Sequence, residues 1–401
     1  MFSHQRPSLR DTATARRAVL IATAVAVALG GHPETARAQD TLSVATWGGA
    51  YGRAQEIALF EPFAKKTGTV VATEIYDGKL PKLRSLIDSG TPVDVVDVSA
   101  GALGTLCKDG LLETIDAAAL ETEGGGSAGD DFFTGAVSDC GVASMAWSTA
   151  VAFDRNAFSK GQPENISALL DTARFPGKRG LPKNPHRTIE LALLADGVPP
   201  DTVYSELATA EGADRAFAAL DKIKNDVFLW DKAEQPITWL LEDKVAMTAG
   251  YSGRIFRAAV GDRNVGVLWD GQIYDMDAWA IPKTSENKEE AMRFIRFATA
   301  PEQLAAQARL TSYGPMRKSA LELVGTHPII GVDMQKFLPT APANFQKALK
   351  FDDAWWDQNG AALTQRFAIW AAEVEAAEAA RQAERKAKEA AETESTPKAA
   401  P

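Results

Sequence analysis

Short stretches that alternate apolar and polar residues are separated by longer ones in which apolar residues return every three or four positions. Leu42–Thr46 alternates and is β-branched at Val44 and Thr46, which predicts a strand, and Trp47-Gly48-Gly49 ends it. From Tyr51 to about Lys66, Ile57, Phe60 and Phe63 fall at helical spacing, with Gly68 as the stop. Val70–Tyr76 reads as the next strand. Lys79–Ser89 is a helix with Leu80, Leu83, Leu86 and Ile87 on one face, and Val93–Val98 is a third strand. This β-α-β-α-β run predicts a parallel sheet with helices on both faces. Ligands in such sheets sit beyond the carboxyl ends of the strands. That rule gathers Trp47 to Tyr51, Tyr76-Asp77-Gly78 and Ser99-Ala100-Gly101 at one rim.

Further on, Gly141–Asp154 is a strand-like stretch long enough to run between two lobes. A second block extends from Phe158 to about Trp269, with helical pieces near Asp214–Asn225 and Pro236–Asp243. Asp275–Lys283 reads as a return strand, and Glu289–Thr299 and Pro301–Leu310 as helices. The expected architecture is therefore α/β, with two lobes joined by two crossing segments and a cleft between them. Glu123–Asp130 is a glycine-rich surface loop by composition.

The two ends of the chain differ in kind from the rest. Arg16-Arg17 precede an apolar run, Ala18–Leu29, which is too short to span a bilayer, and Ala36-Arg37-Ala38 offers a small-residue cleavage pattern. These are the three parts of a secretory signal peptide. The paired arginines leave the general and the twin-arginine export routes both open. At the other end, residues 373–401 carry seven Glu and five Lys or Arg. They show no a/d apolar stripe, so a solvated, partly helical tail is expected rather than a coiled coil.

Charge and cysteine usage narrow the function classes. The net charge is −10, and removing residues 1–38, with five Arg against Asp11 and Glu34, leaves −13. That balance argues against nucleic-acid binding, which needs a basic face. Cys107 and Cys140 are the only cysteines. An oxidising compartment would let them pair, closing a loop that gains roughly 3 kcal/mol in the chain-entropy model, and two separate buried thiols remain the alternative. Two Cys and few His offer no zinc cluster, so no metal and no cofactor are expected. Gly250-Tyr-Ser-Gly-Arg254 lacks the last glycine of an esterase elbow, Trp47–Gly52 is not a dinucleotide fingerprint, and no catalytic set is nominated. An enzyme is not expected.

What remains is a series of aromatic residues beside short polar or acidic ones at strand ends. Trp47 and Tyr51, Tyr76 and Asp77, Tyr251 and Arg254, Tyr274 with Asp275, Asp277 and Trp279, then Tyr313 and Trp355-Trp356 make up the series. Rings beside carboxylates suit an amine, since the ring face attracts the cation and the acid pairs with it. Core or hinge packing is the competing reading for each aromatic taken singly.

Several segments carry a family likeness: TWGGAYG, FEPFAKKTG, VDVVDVSAG, FPGKRG, VAMTAGYSGRIF, DMDAWAIPKTSENKEEAMRFI and SYGP. Over residues 41–370 the chain resembles periplasmic solute-binding proteins of ABC transporters, of the spermidine/putrescine (polyamine)-binding type. The resemblance implies a type II periplasmic-binding-protein fold, closing on a small molecule like a hinge. It implies a signal peptide over 1–38, one lobe over 39–147 and 277–345, and the other over 148–276. C-terminal helices packing on the lobes follow over 346–372, then the charged tail over 373–401. It carries ligand roles to Trp47, Tyr51, Tyr251, Tyr313 and Trp356, and the amine-pairing role to Asp277. Asp77, Ser99, Arg254 and Asp275 join this set from their rim positions. The implied partners are a small amine ligand and an inner-membrane ABC permease complex, with no nucleic acid. A monomer in the periplasm is the implied state.

Two departures from the family pattern bear on the ligand. Gly48-Gly49 replaces an acid expected after the first Trp, and Asn184 to Arg187 replaces an acidic pair in the second lobe. Arginines at a polyamine site would repel its ammonium groups. The alternative is a zwitterion, a γ-amino acid or an opine-like compound, whose carboxylate pairs with Arg and whose amine pairs with Asp277.

Overall fold

The computed structural model describes residues 41–120, 128–158, 160–261 and 264–395. The expected signal peptide and most of the glycine-rich loop at 123–130 lie outside the described residues.

Among the described residues, ten strands form one sheet. They are β1 (Thr41–Thr46), β2 (Val70–Ile75), β3 (Val95–Ser99), β4 (Val137–Ser138), β5 (Gly141–Asp154), β6 (Arg179–Pro182), β7 (Val227–Trp230), β8 (Met247–Tyr251), β9 (Val265–Ala280) and β10 (Leu349–Lys350). The main order is β2-β1-β3-β9-β5-β8-β6-β7, with β10 on β9 and β4 on β5. β1 pairs in parallel with β2 and β3, and β6 pairs in parallel with β7 and β8, so each side has the predicted helix-crossover character. The two long antiparallel strands β5 and β9 join them. β9 meets β3 through residues 277–280, whereas β5 meets β8 through residues 149–153. These two strands are the crossing segments, and the register between them slips at Thr149/Val151.

Each side has its own apolar core. Phe60, Phe63, Phe294 and Trp279 interlock on one face of the first half, and Leu83, Leu86, Val96 and Leu106 fill the other. Leu181, Ile189, Leu193, Phe217 and Met247 form the second half's core. Arg179, in FPGKRG, is fully buried there and donates to the main-chain oxygens of Leu169, Gly177, Ala168, Asp171 and Phe175. It is a structural cation whose donors are absorbed by carbonyls, as a buried guanidinium requires. The sulfurs of Cys107 and Cys140 are bonded, tying the end of the helix Ala100–Lys108 to the start of β5.

Three departures from the sequence reading have physical causes. The return strand starts at Val265, ten residues before the expected Asp275. Gly266, Asp270 and Gly271 look like turn residues, but Gly271 takes φ 72° within the strand, where β5 and β9 slip register. The helix from Tyr51 contains a π turn, Glu56–Phe60, between Gly49–Gln55 and Glu61–Thr67. The π turn's extra residue breaks the stripe, and Ile57 is 41% exposed while Phe60 and Phe63 are buried. Finally, a single helix runs over Asp353–Ser395 without a break at residue 372. Trp356, Leu363, Phe367, Trp370 and Val374 bury themselves in the second half's core, and Glu375 pairs with Lys183 at 2.5 Å.

Candidate functional site

The centre of the molecule, where β3 meets β9, is unusually acidic for a buried place. Asp97 on β3 is 0% exposed and Asp277 on β9 is 2% exposed. Ser99 lies opposite Asp277 and Asp97 opposite Trp279, so the two aspartates are diagonal neighbours on one face of the sheet. Neither carboxylate has a Lys, Arg or His nitrogen within 4 Å among the described residues.

Asp97 is held by neutral donors. The Tyr51 hydroxyl (2.8 Å) and the Gln55 amide (2.6 Å) both donate to its Oδ2, and Thr46 in turn donates to Gln55. The Trp47 indole N–H (2.9 Å) and the Tyr76 hydroxyl (2.5 Å) donate to its main-chain oxygen. Trp47 and Tyr76 meet edge to face with centroids 6.2 Å apart. Gly78, at φ 76°, has no room for a side chain, because a Cβ there would lie 2.8 Å from the Trp47 ring. Asp97 Oδ1 is buried and accepts no hydrogen bond among the described residues.

The neighbouring Asp94 shows the contrast. Its carboxylate accepts from the Ser43 main chain, the Ser285 hydroxyl and the Asn287 amide, so it is a saturated structural acid. The Asp277 carboxylate accepts, among the described residues, only the Trp147 indole, at 3.3 Å. Burial raises the pKa of both Asp97 and Asp277, and the nearby Asp97 and Asp275 raise that of Asp277 further.

Around this pair the aromatic residues form a wall. Tyr51 stands edge to face with Tyr313 (5.6 Å), and Trp147 with Tyr251 (5.6 Å), which also meets Trp230 (5.8 Å). Gly253 makes the approach of Tyr313 possible, since a Cβ there would lie 2.8 Å from the phenol oxygen. This accounts for the fourth residue of GYSGR. Burial and Asp277 raise the Tyr313 pKa, while Arg257 and Arg254 pull it down. One phenol thus feels both an acid and arginines. Arg254 is half-buried on the helix Ser252–Ala259, which follows β8. It has no carboxylate within 4 Å among the described residues.

Arg187 is engaged quite differently. It takes φ 69°, a left-handed conformation that costs a non-glycine residue about 1 kcal/mol or more. Its guanidinium reaches Asp275 Oδ2 at 2.9 Å and lies over the rings of Phe351 (4.0 Å) and Trp147 (4.8 Å). Burial lifts the Asp275 carboxyl to about 6, against the opposing pull of Arg187.

Of the residues expected from the sequence, Trp47, Tyr51, Tyr251, Asp275, Asp277 and Tyr313 come together, with Arg254 near Tyr313. Ser99 sits opposite Asp277 and caps the helix Ala100–Lys108, accepting from the Ala102 N–H. Two expectations need correction. Asp77 is exposed and pairs with Lys79 at 3.1 Å, which depresses its pKa. It belongs to a surface turn, because the chain leaves the sheet immediately after Tyr76. Trp356 is buried in the second half's core, where its indole donates to Glu190 Oε1 at 2.5 Å and its ring packs on His186. Its helix faces that core rather than the acidic pair. Asp97, Gln55, Trp147 and Trp230 were not singled out as site residues. The available signal is the two acids, Asp94 and Asp97, inside the otherwise apolar start of VDVVDVSAG, since acids are rarely buried without a partner; it does not separate the saturated Asp94 from Asp97.

Comparison with known proteins gives these groups a context. The profile of a family described as bacterial extracellular solute-binding protein matches residues 58–331. A γ-aminobutyric acid-binding protein of Pseudomonas aeruginosa is 38% identical over 341 residues, spanning 84% of this chain and 93% of the relative. The spermidine/putrescine-binding periplasmic protein of Escherichia coli is 23% identical over 276 residues, 66% of this chain and 76% of the relative. A solved structure of a GABA receptor superposes with a TM-score of 0.67 at 28% identity, covering 83% of this chain and 98% of that one. These neighbours share the periplasmic-binding-protein fold and are solute-binding proteins, not enzymes. Among the described residues, no helix is long and apolar enough to cross a membrane.

Proposed function

The chain belongs to the bacterial extracellular solute-binding proteins, and we propose that the solute it captures is a zwitterionic amino compound of the γ-aminobutyrate type. As a member of that family it binds a small molecule and hands it to the membrane permease of an importer. The polyamine reading is the weaker one for this chain. The polyamine-binding relative is 23% identical, whereas the γ-aminobutyric acid-binding relative is 38% identical over most of both chains.

The observation that carries this reading is the place of Tyr313, which packs on Tyr51 at 5.6 Å and closes on Gly253, the residue before Arg254, and which feels both Asp277, raising its pKa, and Arg254, lowering it. In this arrangement Asp277 takes the ammonium, and the aromatic wall of Trp47, Tyr51 and Trp147 surrounds the methylenes. Arg254, uncommitted to any protein carboxylate among the described residues, offers its planar fork to the ligand's carboxylate. A polyamine would place a second ammonium where this arginine repels it.

Putrescine and γ-aminobutyrate have similar chain lengths and differ at one end, ammonium against carboxylate. Calorimetric titration of both into the wild-type protein tests the reading. γ-Aminobutyrate should bind at least tenfold more tightly, a difference of about 1.4 kcal/mol or more. Equal or tighter binding of putrescine would return the site to the polyamine class.

A further inference from the structure

We propose that Asp97 and Asp277 work as one carboxylate pair that keeps a proton until an ammonium arrives and then releases it to solvent. The inference rests on the reading above, which gives Asp277 the ligand's amine, and adds Asp97 and a proton to it.

The geometry supplies the reason. Two acids occupy diagonal positions on one face of adjacent strands, both essentially without solvent. Two carboxylates confined in a low-dielectric site do not both ionise unless a cation compensates them. Asp94, three residues earlier, shows how a buried acid is made comfortable here: donors from Ser43, Ser285 and Asn287 reach both its oxygens. Among the described residues, the Asp97 carboxylate has donors at Oδ2 alone, leaving Oδ1 buried and unbonded, and the Asp277 carboxylate has a single long one. The proton therefore has a place to sit.

Among the described residues, the groups that face the pair supply no close compensating charge. From the helix Gly49–Gln55 come the Tyr51 phenol and the Gln55 amide, and beyond β2 comes the Tyr76 phenol. β5 contributes the neutral Trp147 indole and the Ser144 hydroxyl, which donates to the main-chain oxygen of Asp277. β9 adds another acid, Asp275, whose charge Arg187 already answers. Arg254 and Arg257 act on Tyr313, and neither lies within 4 Å of a carboxylate among the described residues. Burial raises the pKa of both members, in keeping with a retained proton.

The exchange balances in charge. The protonated pair and the ammonium combine, one O–H bond breaks, and the proton passes to a buffer base while both carboxylates face the cation. Binding is then linked to pH with a definite sign. Acid, which fills the pair, weakens capture, and the affinity rises with pH until the free pair has already lost the proton.

The test is calorimetry of γ-aminobutyrate in phosphate and in Tris, whose ionisation enthalpies differ, from about pH 5 to about pH 8. The expected result is about one proton released per molecule bound at the acid end, with affinity rising about tenfold per pH unit there. In Asp97→Asn the release and the slope should both fall, burial alone still raising Asp277; an unchanged release and slope would take Asp97 out of the pair. Binding by the wild type with no proton exchanged and no slope overturns this inference and leaves the proposed function standing. Absence of γ-aminobutyrate binding overturns the proposed function instead, and carbon NMR titration of the aspartate carboxyls without ligand then decides the pair. One carboxyl titrating well above the ordinary range in wild type, returning toward it in Asp97→Asn, supports the pair; ordinary titration of both in wild type overturns it. The wild-type titration stands alone if the variant does not fold.

Discussion

The two halves of the sheet bring opposite chemistry to their junction. From β3 and the adjoining end of β9 come Asp97 and Asp277, buried and served only by neutral donors. From the loops and helices of the second half come Arg187 and Arg254. These two arginines are themselves unlike. Arg187 is strained, stacked on Phe351 and Trp147 and committed to Asp275, whereas Arg254 has no carboxylate within 4 Å among the described residues. Commitment to a protein partner marks a structural charge and lack of commitment marks one free to meet a ligand. The same contrast separates Asp94 from Asp97 on the first side.

That distinction can be broken in a graded way. Arg187→Ala should have the largest effect, and on folding rather than on ligand recognition, because it strands Asp275 as an unpaired buried acid. A loss of roughly 3–5 kcal/mol is expected, read as a fall in the midpoint of denaturant unfolding. A near-neutral result would mean that Arg187 is as uncommitted as Arg254. Asp277→Asn should act on the ligand instead. Removing one member of a desolvated charge pair costs roughly 2–5 kcal/mol, so calorimetry with γ-aminobutyrate should show at least a tenfold loss while the unfolding midpoint stays close to wild type. Unchanged affinity would take Asp277 out of the site. The smallest effect belongs to the C-terminal helix. From the sequence, cutting after Ala372 is expected to be harmless. Val374 is 1% exposed and Glu375 pairs with Lys183, so the truncation should lower stability by about 1–3 kcal/mol. An unchanged melting curve would show that these contacts add nothing.

Much of the fold was legible because local pattern and global arrangement agree. The alternation at Leu42–Thr46, the stripe of Leu83, Leu86 and Ile87, and the valine-rich run at Val93–Val98 each specify one element. Where pattern and structure diverge, a tertiary cause intervenes. Gly266 and Gly271 imitate a turn, yet the pairing of β9 with β5 carries the strand through them. In the tail, one valine suffices to extend the packed part of a helix that shows no apolar stripe. The site was partly legible for a related reason. Residues at strand ends reveal themselves by position, so Trp47 and Tyr251 are within reach, whereas Asp277, inside β9, is reached through the family likeness. Asp97 lies inside an apolar strand, and Trp147 inside a long one. Their importance comes from what stands across the sheet, which one sequence does not display. Asp77 misled because a rim position in sequence became a solvent-facing turn.

The central claim is that the junction of the two halves is dipolar, with Arg254 as its free positive end. Calorimetric titration of γ-aminobutyrate and putrescine into Arg254→Ala addresses it most directly, because the two ligands call for opposite responses to one substitution. The account predicts that γ-aminobutyrate weakens at least tenfold, about 1.4 kcal/mol or more, while putrescine binding stays the same or tightens. Undiminished affinity for γ-aminobutyrate in that variant would contradict it.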